Sequence, residues 1–322
     1  LASQAAANAI KDCEATGGAA LIAMAIDTIC VTKLFSDMGR LWAGKCGRSD
    51  NPPESIAKRI GASPDHRIYT ETGGNQPQSR LIEFAHAIAR GERSVVLIAG
   101  AEAIKNQRHA ERNKRELDWS EHFEEALEDR GFGTSSATSQ EVKNGLNNVV
   151  YYYSLIEQAQ RHTAGRSIKE HRYVMARLLE SFSAVAADNP YAQFAGSQTA
   201  EEILASPAMT HLYSKRMIAQ DGVNQGAALL MCSIGKAKQL GIPEERWIYL
   251  HGLAEGCELE VTRRPDPGAS PMAGMVADKA LATAGITIAD IDLIDIYSCF
   301  PCAVTSVALH LGLPIDGSRP LT

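Results

Sequence analysis

AHAIARGERSVVLIAGAE, residues 85–102, joins two kinds of periodicity across one glycine. Its first part continues a helical pattern begun at Gln78. Residues 78–90 (QSRLIEFAHAIAR) gather apolar side chains on one face, and Gly91 ends the run. Its second part, SVVLIAGAE at 94–102, is apolar without alternation, the pattern of a strand covered on both faces. Upstream, His66-Arg67-Ile68-Tyr69-Thr70 reads as a strand running into Gly73-Gly74. Strand, glycine turn, helix, glycine and strand in this order predict an α/β sheet. Further out, residues 2–14 are Ala-rich with helical spacing and close at Thr16-Gly17-Gly18. Residues 26–33 (IDTICVTK) are β-branched and read as a buried strand. A polar stretch from Ser36 to Pro53 leads to a short helix at 54–60.

The middle of the chain, about 105–216, reads as charged and aromatic helices joined by loops, an inserted, mostly helical region. KNQRHAERNKR (105–115) is a basic run that also carries Glu111, and a solvated helix face accounts for it. Tyr151, Tyr152 and Tyr153 suggest packing of a helical subdomain more than a stacking platform. From Gly222 the α/β pattern returns: strand at 223–234, helix at 235–240, strand at 246–255 (RWIYLHGLAE), helix at 270–285. DIDLIDIYSCF (290–300) reads as a strand entering a loop, and 301–312 as a helix with Pro301 at a favourable first position. Ile26-Asp27 and Ile29 near the start echo Ile291-Asp292 and Ile294 near the end, which suggests two α/β halves of similar design. The expected organisation is 1–105, an inserted 106–216, and 217–322.

The 322 residues are 45% hydrophobic and 22% charged, with a formal net charge of -6. That balance fits a globular chain and argues against a nucleic-acid partner, which calls for a basic face. No run of about 18 apolar residues marks a membrane span, and no basic-then-apolar leader opens the chain. Seven scattered cysteines fit the reduced thiols of a cytoplasmic protein. The chain starts without Met inside a helical pattern and stops just past a proline-bearing loop, so both ends are expected to continue in a longer protein.

Cys299-Phe300-Pro301-Cys302 is a C-x-x-C between a strand pattern and a helix, which makes a dithiol redox protein one alternative reading. The nine histidines show no metal-ligand spacing, so no metal is expected.

Three motifs in order resemble the thiolase superfamily, and within it the thiolase-like proteins labelled acetyl-CoA acetyltransferase. Residues 85–102 resemble the helix, glycine turn and strand that follow the thiolase nucleophile. Gln220-Asp221-Gly222-Val223-Asn224-Gln225-Gly226-Ala227-Ala228 resembles the turn that opens the second thiolase half. Tyr297-Ser298-Cys299-Phe300 resembles the catalytic segment written His-Asp-Cys-Phe in the sterol-carrier type. The resemblance covers most of 1–105 and 215–322. It implies a layered α/β/α/β/α fold of two related halves, an acyl-CoA ligand, acyltransferase chemistry in lipid metabolism, no covalently bound cofactor and a homodimer. Counting back along the helix puts Gly74 where the nucleophilic cysteine stands, within Gly73-Gly74-Asn75-Gln76-Pro77. No cysteine lies between Cys46 and Cys232. An acyl-enzyme requires a thiolate, so thiolysis by that route is not expected. By the same resemblance, Tyr297, Ser298 and Cys299 are the candidate catalytic residues, and Gly73, Gly74, Asn75 and Phe300 the candidate coenzyme A contacts. A second alternative is a retro-aldol carbon–carbon lyase acting on a CoA thioester beside an OB-fold partner, chemistry that uses a base and an oxyanion site but no acyl-cysteine.

Overall fold

The computed structural model describes residues 1–39, 44–133, 137–296 and 298–322. The chain divides into two compact units, each discontinuous in sequence: residues 1–134 with 221–249, and residues 135–220 with 250–322.

The first unit contains the helices Ala2–Asp12 (α1), Gly18–Ala25 (α2), Pro52–Ile60 (α3), Gln76–Ala89 (α4) and Ile104–Arg112 (α5), and, after the second unit's first segment, Ile234–Gln239 (here α10). Its strands are Thr28–Val31 (β1), His66–Tyr69 (β2), Val95–Glu102 (β3), Glu128–Asp129 (β4) and Gln225–Cys232 (β5), in the sheet order β4-β2-β1-β3-β5. β1 pairs in parallel with β2 (Thr28 opposite His66) and with β3 (Thr28 opposite Val96), whereas β5 runs antiparallel to β3 (Val95 opposite Cys232).

The unbroken apolar run of β3 is explained by this order. Side chains alternate between sheet faces, and both faces are covered. Ile29, Val31, Val95, Leu97 and Ala99 pack with Ala6 and Ile10 of α1, Ile22 of α2, Ile56 of α3 and Ala237 of α10. Cys30, Ile68, Val96 and Ile98 pack on the other face with Leu81, Phe84 and Ile88 of α4. Thr16-Gly17-Gly18 does not close α1, which ends at Asp12 with Cys13 as its C-cap; Gly17 is instead the N-cap of α2 and Gly18 its first residue. In α3, Asn51 accepts a hydrogen bond from the Glu54 N–H at 3.2 Å, Pro52 holds the first position, and Gly61 closes the helix at φ 73°.

The second unit contains Ser139–Lys143 (α6), Val149–Thr163 (α7), Ile168–Ala187 (α8), Ala200–Ala205 (α9), Pro271–Ala284 (α11) and Pro301–His310 (α12). Capping boxes start α6 (Thr138, Glu141), α8 (Ser167, Glu170) and α9 (Thr199, Glu202). Its core joins Ile156, Met175, Ala176, Ile203, Tyr213, Met217, Val261, Phe300 and Cys302, with Tyr152 and Tyr153 packed against it. A second cluster sets Val304 and Ala308 of α12 on Leu178 of α8, Leu313 and Leu321.

Two expected strands do not form ladders. Among the described residues, 246–255 and 290–296 belong to no sheet. A strand exists where a neighbour supplies its hydrogen bonds. In the second stretch the Ile296 N–H donates to the Leu321 carbonyl at 2.8 Å, a single bond and not a ladder.

Candidate functional site

The sequence-derived candidates occupy two places, one in each unit. In the first unit, β2 ends at Tyr69 and the chain turns through residues 71–75 into α4. Gly73 has φ 157°, and a Cβ there would come within 2.5 Å of Asn75 Oδ1. Gly74 differs: a Cβ there would meet nothing within 4 Å, and its backbone lies outside the positive-φ region. Gly74 is therefore not demanded by the turn. Asn75 stands at the N-cap of α4 but its side chain caps no helical N–H; its Nδ2 points to Ser79 Oγ at 3.4 Å. The helix begins with its partial positive charge uncapped by a side chain. Around this turn Glu71 Oε2, Thr72 Oγ1, Gln76 Oε1 and Arg80 Nε are enclosed and have no hydrogen-bond partner. Charge offsets part of this: Arg80 Nη2 lies 3.8 Å from Glu71 Oε2, and Arg80 Nη1 lies 2.6 Å from Glu83 Oε2.

Beside it, the carboxyl ends of β1, β2 and β3 carry charged groups that the sequence reading passed over. Lys33 Nζ lies 2.7 Å from Asp129 Oδ1 and 4.3 Å from the Tyr69 ring centroid. The Tyr69 hydroxyl donates to Asp37 Oδ2 at 2.7 Å and accepts from the Leu34 N–H at 2.9 Å. Burial, with the Asp37 charge adding to it, pushes the Tyr69 phenol well up, so it acts as a hydrogen-bond donor and not as a base. Glu102 accepts from the Phe35 N–H at 2.6 Å, and burial raises its carboxyl above the ordinary range. β2 and β3 flank β1 on opposite sides, and crevices in open α/β sheets form at the carboxyl ends where the strand order reverses in this way. The sequence signal was faint: polar residues just past predicted strand ends, with Lys33 and Asp129 far apart in the chain.

In the second unit, Tyr297 lies outside the described residues. Ser298 Oγ accepts from the Phe300 N–H at 3.1 Å, and the Cys299 carbonyl accepts from the Ala219 N–H at 3.0 Å. Phe300 is buried, stacked on Tyr153 at 4.1 Å and tilted against Tyr213 at 5.5 Å. Cys302 is 0% exposed, its sulfur 3.7 Å from the Tyr213 hydroxyl. That hydroxyl donates to Glu157 Oε2 at 2.8 Å, and Glu157 Oε1 lies 2.7 Å from His171 Nε2. His171 Nδ1 is enclosed without a partner. Burial, and then the Glu157 charge, push both the Cys302 thiol and the Tyr213 phenol far above their ordinary values. A thiol held protonated is a poor nucleophile and a poor partner in disulfide exchange. All seven cysteines stand as thiols. The sequence reading missed Glu157, His171 and Tyr213. Their one trace was a Glu and a His inside apolar helical stretches.

Among the described residues no three His, Cys, Asp or Glu side chains gather as metal ligands, and no helix is long and apolar enough to cross a membrane.

No family model and no curated protein matches the chain. Solved structures do. A monomeric SCP2-thiolase-like protein type 1 from Mycobacterium smegmatis is 36% identical with a TM-score of 0.79, over 100% of this chain and 61% of that one. The chain thus spans about three fifths of that relative's length. The Ltp2-ChsH2(DUF35) aldolase is 18% identical at TM-score 0.62, over 91% of this chain and 68% of that one. Human mitochondrial 3-ketoacyl-CoA thiolase is 16% identical at TM-score 0.57, over 100% of this chain and 80% of that one. The mixed α/β arrangement of this chain is therefore a thiolase-like fold, shared with SCP2-thiolase-like proteins and with thiolases.

Proposed function

We propose that the protein binds an acyl-CoA thioester at the turn before α4 and does not process it through an acyl-cysteine. The observation that carries this reading is Gly74, a residue without a side chain where the resemblance places the nucleophile. Two buried cysteines are poor substitutes for it: Cys30 lies in the sheet with its thiol pushed up to about 12, and Cys302 is enclosed beside Glu157 with its thiol pushed far up by burial. In this reading the uncapped start of α4 and the enclosed polar atoms of Glu71, Thr72 and Gln76 receive the polar part of the ligand, next to Gly73, Gly74 and Asn75. By resemblance alone, Tyr297, Ser298 and Cys299 stay catalytic candidates and Phe300 a candidate coenzyme A contact.

The test is direct. The protein, given acetoacetyl-CoA and CoA, is expected to form no acetyl-CoA. Gly74→Cys, for which the backbone and the open space leave room, is expected to fold and to acquire an acetyl adduct at residue 74, read by mass spectrometry. Thiolysis by the unaltered protein would sink the reading.

A second reading is carbon–carbon bond cleavage of a CoA thioester with an OB-fold partner. It is favoured by the structural likeness to an aldolase that is itself a complex with a DUF35 protein. Its test is the Tyr297→Phe variant: once a lyase activity is measured, unchanged turnover would remove Tyr297 from the chemistry.

A further inference from the structure

The second unit holds an open cavity of about 400 Å³, walled by α8 and by stretches of 189–220. That volume lies in the range of about 300–1,000 Å³ usual for small-molecule sites. Leu179, Phe182 and Ile218 give it an apolar lining, and among the described residues no acidic side chain lines it. Arg216 is the one charged residue in the wall among the described residues.

The state of Arg216 is unusual. Its guanidinium carbon lies 3.7 Å from the centroid of the Phe194 ring, so one face is stacked. Its backbone N–H is tied to Ser206 Oγ at 3.0 Å, which fixes where the side chain starts. Nη1 is enclosed and bonded to nothing, and no ion pair of Arg216 occurs among the described residues. A guanidinium stays charged at any ordinary pH. Stacked by its face, it keeps its edge for an oxyanion, the geometry in which arginine recognises carboxylate and phosphate. Phe194 is 40% exposed and belongs to no apolar cluster of this unit.

We infer that this cavity binds an amphipathic organic anion. Arg216 receives the carboxylate or phosphate head, and Leu179, Phe182 and Ile218 receive an apolar chain. The site is distinct from the thioester reading, since none of Gly73, Gly74, Asn75, Ser298 or Cys299 lines it.

Titration calorimetry of the full chain with decanoate, decyl phosphate and 1-decanol tests it. Both anions, or one of them, are expected to bind roughly tenfold or more tightly than the alcohol. A preference for decanoate identifies a carboxylate ligand, and a preference for decyl phosphate a phosphate ester. Arg216→Gln should erase the preference for anions, and Arg216→Lys should keep part of it. Equal binding of decanol, no binding of any of the three, or an undiminished preference in Arg216→Gln overturns the inference. The comparison of ligands on the unaltered protein decides the matter even if a variant does not fold.

Discussion

Glu157 and Tyr213 show what single residues do in the second unit. A buried carboxylate is tolerated where hydrogen bonds replace its water, and here Tyr213 and His171 occupy its two oxygens. The same Tyr213 ring packs on Phe300 and its hydroxyl approaches Cys302, so one polar contact sets the packing just before and inside α12. Tyr213→Phe keeps the ring and removes the donor. It is expected to destabilise the protein by about 1–3 kcal/mol, because Glu157 loses a partner it cannot replace with water. Urea unfolding of the variant checks this, and an unchanged midpoint would mean that the phenol carries no stabilisation.

Elements in this chain are set by their ends as much as by their faces. α6 has five residues and depends on its capping box. Glu141 accepts from the Thr138 N–H at 2.6 Å and from the Thr262 hydroxyl at 2.7 Å. These bonds, led by the one from Thr138, hold its carboxyl down at about 2. The folded value lies below the unfolded value of about 4.3. The stabilisation is therefore complete above that value and disappears as pH falls through it towards 2. Glu141→Gln is expected to be less stable than the parent at neutral pH, with the gap closing in acid. Denaturant unfolding across a pH series reads the gap, and a gap that stays constant down to pH about 2 contradicts the assignment. α4 starts without a side-chain cap, as do α1, α2, α5, α11 and α12, so these helices depend on packing of their faces more than on their first turn.

At the scale of the whole molecule, the extended stretches without ladders leave large apolar side chains in water. Ile248 in the first unit is 93% exposed, and Leu293 in the second is 92% exposed. Exposed apolar groups on unpaired extended backbone promote association. Ile248→Lys and Leu293→Lys are each expected to change stability by no more than about 0.5 kcal/mol while lowering self-association in sedimentation velocity. A large loss of stability in either variant would show that the side chain is packed in solution.

What the sequence determined by itself was whatever depends on neighbours in the chain. The apolar run at 94–102, the helical spacing at 78–90 ended by Gly91, and Pro301 at the start of α12 act over a few residues, and their elements formed where expected. The strands expected at 246–255 and 290–300 show the limit of that reasoning. β-branched and apolar residues make a segment able to extend, but a ladder needs hydrogen-bond partners from elsewhere. Only the tertiary structure could decide that Gly73 is constrained by its turn while Gly74 is not, because the answer lies in what a Cβ would touch. Likewise, no local pattern announces that Glu157, His171, Tyr213 and Cys302 share one enclosed network. Burial and hydrogen bonding are properties of the groups that folding brings together, and those groups are up to 145 positions apart here, from Glu157 to Cys302.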